Sequence, residues 1–509
     1  IGGAIVGPMI YFWAREAKGH GVPEVMEAMA LKGGRIRARV TAVKIVASAL
    51  SIGVGGSVGR EGPIVQIGSA LGSAVAQLLK VSKDKTRTLV GCGAAAGIAA
   101  TFNAPIAGVL FALEILLGDF GVRTFSPLVL SSVTATVISR HYFGDVPAFI
   151  LPMYEMVSGW EFFLYGIMGI FVGFVALAFV ITLYKTEDLF DAVPIPEYIK
   201  PIFGGLIMGV MIIYLPHTFG VGYGAIDLSL TGQMTAQILL LLIIAKILAT
   251  SITIGGGMSG GIFAPSLFIG AMAGGLFGVI VNQLFPGATA SPGAYALVGM
   301  GGMVAAATHA PITAILIIFE LTSEYTIILP LMITCIISTL LATYLKKGNI
   351  YTLKLMRRGV FLSQGREQNI LQNILVESVM RPEVLIVKEN AILTDIIRTF
   401  QNSNASYLQV VNRSDELSGV ISFRDIRQIM QEASLAHLII AKDVATSPVI
   451  TVTPKENLEE ALRKLSSTGV SQLPVVDQDN PRKVIGTLDN KDINAAYDRA
   501  ALAMETAAA

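Results

Sequence analysis

Charge is scarce in this sequence: Asp, Glu, Lys and Arg make up 14% of its 509 residues, against about 25% in soluble globular proteins. An excess of either sign is missing too. Lys and Arg number 37 and Asp and Glu 36, a net charge of +1, so bulk electrostatics give no affinity for nucleic acid and no nucleic-acid partner is expected. There are two cysteines, Cys92 and Cys335, each inside an apolar run, which excludes a disulfide framework. The five histidines are scattered without ligand spacing, so no metal site is expected. No nucleophile–base pair stands out, and the reading is not that of an enzyme.

What is abundant is apolar sequence: 53% of residues are hydrophobic and the mean hydropathy is +0.66. The distribution is uneven. Apolar runs dominate up to about Lys346, whereas the chain beyond Arg357 reads like a soluble protein, so a membrane part precedes a soluble part. The chain begins at Ile1 directly in an apolar run, and further residues are expected before it. A helix needs about 20 apolar residues to cross the hydrocarbon core. Segments near 1–13, 41–56, 61–80, 88–100, 103–118, 125–142, 158–184, 199–215, 233–253, 261–284, 293–307, 309–321 and 325–345 are read as membrane helices. Several are too short to cross, and many break at Gly or Pro, as at Gly62-Pro63, Ala104-Pro105, Ala264-Pro265 and Ala310-Pro311. Broken backbone at membrane depth survives only where protein buries it or a wet cavity is lined by it, which points to a transporter or channel.

Internal repeats strengthen this reading. At a shift of 202 residues, Gly53-Val-Gly55 falls on Gly255-Gly-Gly257, Gly59-Arg-Glu-Gly-Pro63 on Gly261-Ile-Phe-Ala-Pro265, and Ile67, Gly68 and Gly72 on Ile269, Gly270 and Gly274. At 206, Gly93 falls on Gly299, Ala99-Ala100 on Ala305-Ala306, Ala104-Pro105-Ile106 on Ala310-Pro311-Ile312, and Leu110 and Glu114 on Leu316 and Glu320. Gly-rich apolar sequence matches itself easily, but two Pro pairs in the right order do not arise that way. Two related halves with corresponding broken segments are the sequence mark of a substrate site near the bilayer midplane. The soluble tail has its own repeat at a shift near 67: Gly419–Ile426 pairs with Gly486–Ile493, each preceded by an apolar strand (Tyr407–Val411, Gln472–Val476) and a helical pattern (Leu393–Gln401, Leu458–Ser466). That order predicts a small α/β pair.

An anion crossing a membrane must exchange its hydration shell for protein donors. A fixed cationic side chain is costly to bury and would hold the ion too tightly to release it. A helix N-terminus offers unpaired N–H groups and about half a positive charge. Gly lets backbone approach the ion, and Pro fits the first helical turn. Three stretches have this form: Gly19-His-Gly-Val-Pro23, Gly59-Arg-Glu-Gly-Pro63 and Gly261-Ile-Phe-Ala-Pro265.

In this order the three motifs resemble those of the CLC family of chloride channels and chloride/proton antiporters. The run Gly93–Glu114 with Phe102-Asn-Ala-Pro105, and Glu324-Tyr-Thr-Ile-Ile-Leu-Pro330, resemble the same family, and the tail resembles the paired CBS domains of many CLC proteins. The resemblance implies an all-α polytopic membrane domain of two inverted-topology repeats with broken helices, followed by an α/β CBS pair. The expected boundaries are 1–357 for the membrane domain, 358–376 for a linker, 377–435 for the first CBS copy and 436–509 for the second. A cell-membrane homodimer with one pore per subunit is implied. Lys346-Lys347 after the last span fits the positive-inside rule with a cytoplasmic tail.

Glu61 is the sharpest single residue. A carboxylate beside an anion path competes with the anion for the same N–H groups, and protonation frees the site, coupling proton to anion; the matching family Glu is the outer gate. The anion-binding set implied by the resemblance is His20, Gly21, Arg60, Ile262, Phe263 and Tyr325, with backbone N–H groups of Ile262 and Phe263 and the Tyr325 hydroxyl as donors. Two departures stand out. His20 occupies a position where the family commonly has Ser; it donates to the anion through a ring nitrogen, responding to pH if protonated, or turns away while backbone alone serves. Ile115 stands where many antiporters carry an inner proton-transfer Glu directly after Glu114, which leaves a displaced or water-assisted route past Glu114 and Asp119. In the tail, Ser422-x-x-Asp425 resembles the ribose-contacting pair of nucleotide-binding CBS modules, with Asp492 as weaker support beside Asp489. No cofactor is required for transport; an adenine nucleotide at the CBS pair is the one ligand considered. The expected function is chloride/proton antiport gated by Glu61. Its alternatives are a chloride channel or an uncoupled or fluoride-selective relative and, more remotely, a CBS-bearing divalent-cation transporter, for which intramembrane carboxylates are too sparse.

Overall fold

The computed structural model describes residues 1–145, 149, 154, 156–322, 324–360, 371–403, 405–427, 429, 438–468 and 470–506. Most of the linker expected at 358–376, and the end of the first CBS copy, lie outside the described residues. Contacts divide the chain into two compact units, Ile1–Arg358 and Gly359–Ala509.

The first unit is helical. Its helices are α1 (Gly2–Trp13), α2 (Val22–Leu31), α3 (Arg39–Gly53), α4 (Glu61–Leu78), α5 (Lys83–Phe102), α6 (Pro105–Phe111), α7 (Val122–Phe143), α8 (Glu161–Ala192), α9 (Lys200–Tyr214), α10 (Tyr223–Leu230), α11 (Ala236–Gly255), α12 (Phe263–Leu284), α13 (Pro292–Thr308), α14 (Pro311–Thr322), α15 (Ile328–Leu345) and α16 (Thr352–Arg357). Each apolar segment read from the sequence is a helix here, and α7, α8, α11, α12 and α15 are long and apolar enough to cross a membrane. The short helices α10 and α16 were not foreseen as separate elements; α2 was foreseen only by its start at the Gly19–Pro23 motif. Local sequence explains the breaks. α5 and α13 end on left-handed residues, Asn103 (φ 58°) and His309 (φ 53°), each followed by Ala-Pro. The Pro cannot continue a helix but fits the first turn of the next, α6 or α14.

The repeat seen in sequence is a physical twofold. Gly68 of α4 and Gly93 of α5 cross so closely that a Cβ on either would stand 2.1 or 2.0 Å from the other's carbonyl oxygen; their counterparts Gly270 of α12 and Gly299 of α13 do the same at 2.5 Å. No larger residue fits these crossings, and backbone approach of this kind is how helices pack where lipid offers no hydrophobic drive. Contacts across the axis are reciprocal. The Ser57 N–H donates to Thr253 Oγ1 at 3.2 Å, and the Ser259 N–H to Ser51 Oγ at 3.2 Å. Glu114 accepts from the N–H groups of Ile312 (3.2 Å) and Thr313 (2.7 Å) at the start of α14. Glu320 accepts from Ile106 (2.9 Å) and Ala107 (2.7 Å) at the start of α6. Residue i meeting j while j's counterpart meets i's is the contact pattern a twofold generates.

In the second unit β1 (Ile386–Lys388), β2 (Tyr407–Val411) and β3 (Leu417–Ser422) form one sheet, with β1 parallel and β3 antiparallel to β2. β4 (Gln472–Val476) and β5 (Val484–Asp489) form an antiparallel pair. Helices Leu393–Asn402 and Leu458–Thr468 cover them, burying Leu393, Ile396 and Phe400 in one core and Leu458, Ala461 and Leu465 in another. Val376 packs in the core of the second copy, where its N–H donates to the Glu456 carbonyl at 2.9 Å, so the chain enters the tail through the second copy's core.

Candidate anion site

The three Gly–Pro motifs meet. Gly19 takes φ 75° and Gly21 φ 86°, conformations that favour glycine, and these bends start α2 with Pro23 in its first turn. The Gly19 N–H donates to the Met258 carbonyl at 3.2 Å, and the Gly260 N–H returns to Gly19 at 3.3 Å. Gly59 and Gly261, equivalent in the repeat, pair antiparallel through N–H···O contacts of 2.8 and 2.6 Å. A Cβ at Gly62 would stand 2.2 Å from the His20 carbonyl oxygen and 3.0 Å from Gly261 Cα. The starts of α2, α4 and α12 therefore converge on one buried point. Their first-turn N–H groups, including those of Gly21, Ile262 and Phe263, precede the first intrahelical bonds, made by Val25, Ile64 and Ser266. Such donors suit an anion.

Glu61 and His20 lie in this knot, each only 1% exposed. Neither Glu61 oxygen completes a hydrogen bond, nor does either His20 ring nitrogen, although the Ala264 N–H and the Tyr223 hydroxyl are near enough to Glu61 to interact with it. The acid thus sits at the start of α12, where an anion would compete with it. Ile262 and Phe263 are buried at that same start, and the Phe263 ring is 5.7 Å from that of Phe102. Arg60 points elsewhere: it is exposed, donates to the Thr101 carbonyl at 3.3 Å, and lines a cavity of about 740 Å³ with Asn103, Ser139 and Tyr142.

Tyr325 is the correction. It is 71% exposed before α15, its ring edge-on to Phe319, and no contact joins it to His20 or Glu61. The tyrosine beside the site is Tyr351, 1% exposed just before α16, its ring 5.8 Å from His20. The signal was short: Tyr351 immediately precedes a six-residue helix that follows the last long apolar run and has no membrane-span pattern of its own. Sequence reasoning also missed Lys44, which is fully buried on α3 and donates to the carbonyls of Ala17 (3.0 Å) and Gly19 (2.9 Å). Its counterpart Lys246, equally buried, donates to Gly220 (2.8 Å) and Thr218 (3.4 Å). Each lysine satisfies carbonyls of a tight glycine bend, which would otherwise cost about 1–3 kcal/mol per unpaired group.

In the tail, Ser422 and Asp425 line a cavity of about 450 Å³ between the two copies, with Tyr407, Phe423, Ile450 and Ser471. Asp425 accepts from the Ser422 N–H at 2.8 Å, and the Asp425 N–H faces Ser422 Oγ at 3.3 Å. Asp492 does not join them. Its carboxylate is held by Arg381 at 3.0 and 2.5 Å, and this pairing holds the guanidinium pKa above its ordinary value.

A family profile described as voltage gated chloride channel matches residues 2–343, and a CBS domain profile matches 376–432 and 441–499. A putative chloride channel protein ClcB-like of Ralstonia nicotianae is 37% identical over 360 residues, 70% of this chain and 84% of that protein. An H(+)/Cl(-) exchange transporter ClcA of Vibrio parahaemolyticus is 34% identical, covering 72% and 79%. Among solved structures, a slow cyanobacterial Cl-/H+ antiporter superposes with TM-score 0.64 at 30% identity over 70% of this chain and 85% of that one. A eukaryotic CLC transporter gives 0.61 at 21% identity over 96% and 88%, a likeness of fold. The chain belongs to the voltage gated chloride channel (CLC) family of membrane proteins and carries a C-terminal pair of CBS domains.

Proposed function

We propose that the protein exchanges chloride for protons across a membrane, with Glu61 as the gate that carries the proton. The observation that carries this reading is the buried Glu61 carboxylate at the meeting point of three helix starts, facing the N–H of Ala264. Ionised, it occupies donors an anion needs; protonated, it loses most of its hold on them and yields the seat. His20 and the backbone at Gly21, Ile262 and Phe263 then serve the anion, with Tyr351 in place of Tyr325. Exchange by relatives with this architecture supports the same reading. The protein works as a homodimer in the lipid bilayer with a pore in each subunit, and the tail is cytoplasmic. The cavity at Ser422 and Asp425 takes an adenine nucleotide, Asp425 accepting from the ribose hydroxyls; Asp492, occupied by Arg381, takes no part. The test of exchange is simultaneous chloride and pH recording from liposomes holding the full-length protein. Proton uptake driven by chloride efflux is expected; chloride efflux with no proton movement rejects exchange in favour of a channel.

A further inference from the structure

Exchange needs a proton route to Glu61 as well as an anion route, and the expected acid is missing. Ile115 carries no proton and is buried. Glu114 is engaged as the cap of α14, accepting also from the Thr313 hydroxyl at 2.6 Å. Asp119 is bound locally, accepting from the Gly121 N–H at 2.9 Å and the Thr124 hydroxyl at 3.3 Å.

A different set of titratable groups runs up to Glu61. Lys354 of α16 is buried between Glu24 of α2 (3.8 Å) and Glu187 of α8 (3.7 Å). Its ammonium lies 2.7 Å from where a Cβ on Gly19 would be, beside the first motif. Arg358, at the end of the unit, reaches Glu24 at 3.2 Å and Glu27 at 3.3 Å. This cluster therefore stands where the chain leaves the membrane unit. Glu24 is half used: its Oε1 meets Lys354 and Arg358, while its Oε2 is buried without a partner. Four residues back, before α2 begins, stands His20, with both nitrogens unpartnered; near it are Tyr351 and Glu61, whose two oxygens also complete no hydrogen bond. Buried polar atoms left open cost about 1–3 kcal/mol each, and such sites are where proteins admit water.

We propose that the proton travels between Glu61 and the face of the membrane unit at Arg358 by way of Glu24 and His20, through water, in place of position 115. This rests on the exchange reading above. A proton from bulk water binds Oε2 of Glu24. It passes through water to one nitrogen of His20, whose other nitrogen releases a proton toward the Glu61 carboxylate. No bond other than O–H and N–H forms or breaks: Glu24 ends ionised, Glu61 ends protonated, and His20 ends as its other neutral tautomer, which a ring flip resets before the next transfer. The charged groups nearest His20 are Lys44, Lys354 and Arg358. The groups that face Glu24 are Lys354, Arg358, Lys44 and Tyr184. The lysine–carboxylate pairs also offer a purely structural explanation, and Glu187 separates the two: it pairs with Lys354 as Glu24 does but lies on α8, off the run from Glu24 to His20.

The test uses the full-length protein in liposomes, reading proton uptake per chloride released. In Glu24→Gln the ratio is expected to fall about tenfold or more while chloride efflux continues, the scale of a lost proton-transfer group. Glu24→Asp restores coupling, and Glu187→Gln keeps it. His20→Asn, which can donate a hydrogen bond but not relay a proton, lowers the ratio like Glu24→Gln, so the proposal stays testable even if Glu24→Gln fails to fold. Wild-type coupling in Glu24→Gln or His20→Asn overturns the route, as does a loss in Glu187→Gln equal to that in Glu24→Gln. Absence of proton movement in the wild type is a different failure, that of exchange itself.

Discussion

The two halves of the membrane unit share a framework and differ in chemistry. Polar groups that hold backbone together come in pairs: Lys44 and Lys246 on glycine bends, Glu114 and Glu320 on helix starts, Ser51 and Thr253 on the loops of the other half. Groups read as functional do not repeat. Glu61 is opposed by Phe263 and Arg60 by Ile262 at the 202-residue shift, and His20 by Val221 and Glu24 by Ala225 at a shift of 201. The difference teaches that the cradle of helix ends is symmetric, whereas the titratable side chains read as functional, Glu61, His20 and Glu24, stand on the first half only. An acid on both sides of the same seat would have placed two like charges at one buried point, which costs several kcal/mol.

The largest effect should come from the unpaired residue. Glu61→Gln is expected to lower proton uptake about 100-fold with chloride efflux retained, read in liposomes; proton uptake near the wild-type rate would remove Glu61 from the mechanism. Next are the paired lysines. Lys44→Met and Lys246→Met each leave two carbonyls unpaired and should cost about 2–4 kcal/mol apiece, read as loss of monodisperse protein on heating in detergent. Equal losses sharpen the symmetry, and a silent Lys246→Met breaks it. Glu114→Ala and Glu320→Ala remove one reciprocal cap each, at about 1–2 kcal/mol, checked in the same heating assay; unequal losses would show that one cap has a second task. The smallest effect lies in the tail, where Asp425→Ala should weaken ATP binding about tenfold and Asp492→Ala should leave it unchanged, measured by titration calorimetry on the full-length protein. The reverse order would exchange the two copies' roles.

Much of this was legible in the chain. The apolar runs, the Gly–Pro punctuation and the two shifts fixed the helices and the three starts that meet, because each depends on local sequence. Tyr325 shows where that kind of reading fails. It lies in a motif-like stretch, Glu324–Pro330, after a strong apolar helix, whereas Tyr351 immediately precedes α16, a six-residue helix that packs against α2. Lys44 was hidden for a related reason: a lone Lys in an apolar segment looks like a membrane-edge residue until the carbonyls of Ala17 and Gly19 are seen folded back onto it. Asp492 was a repeat-derived expectation, and the repeat carries no information about Arg381, which reaches it from outside the repeated segment.

By itself the sequence determined that this chain enters a membrane, that it is built twice over, and that helices start abruptly in its interior. These follow from hydropathy, periodicity and the backbone freedom of Gly and Pro, which act within a few residues. Only the tertiary structure decided which side chains share the buried point. Whether Tyr351 or Tyr325 stands beside His20, and whether Glu24 keeps an oxygen free, depends on where elements hundreds of residues apart come to rest, and burial gives those choices their energetic weight.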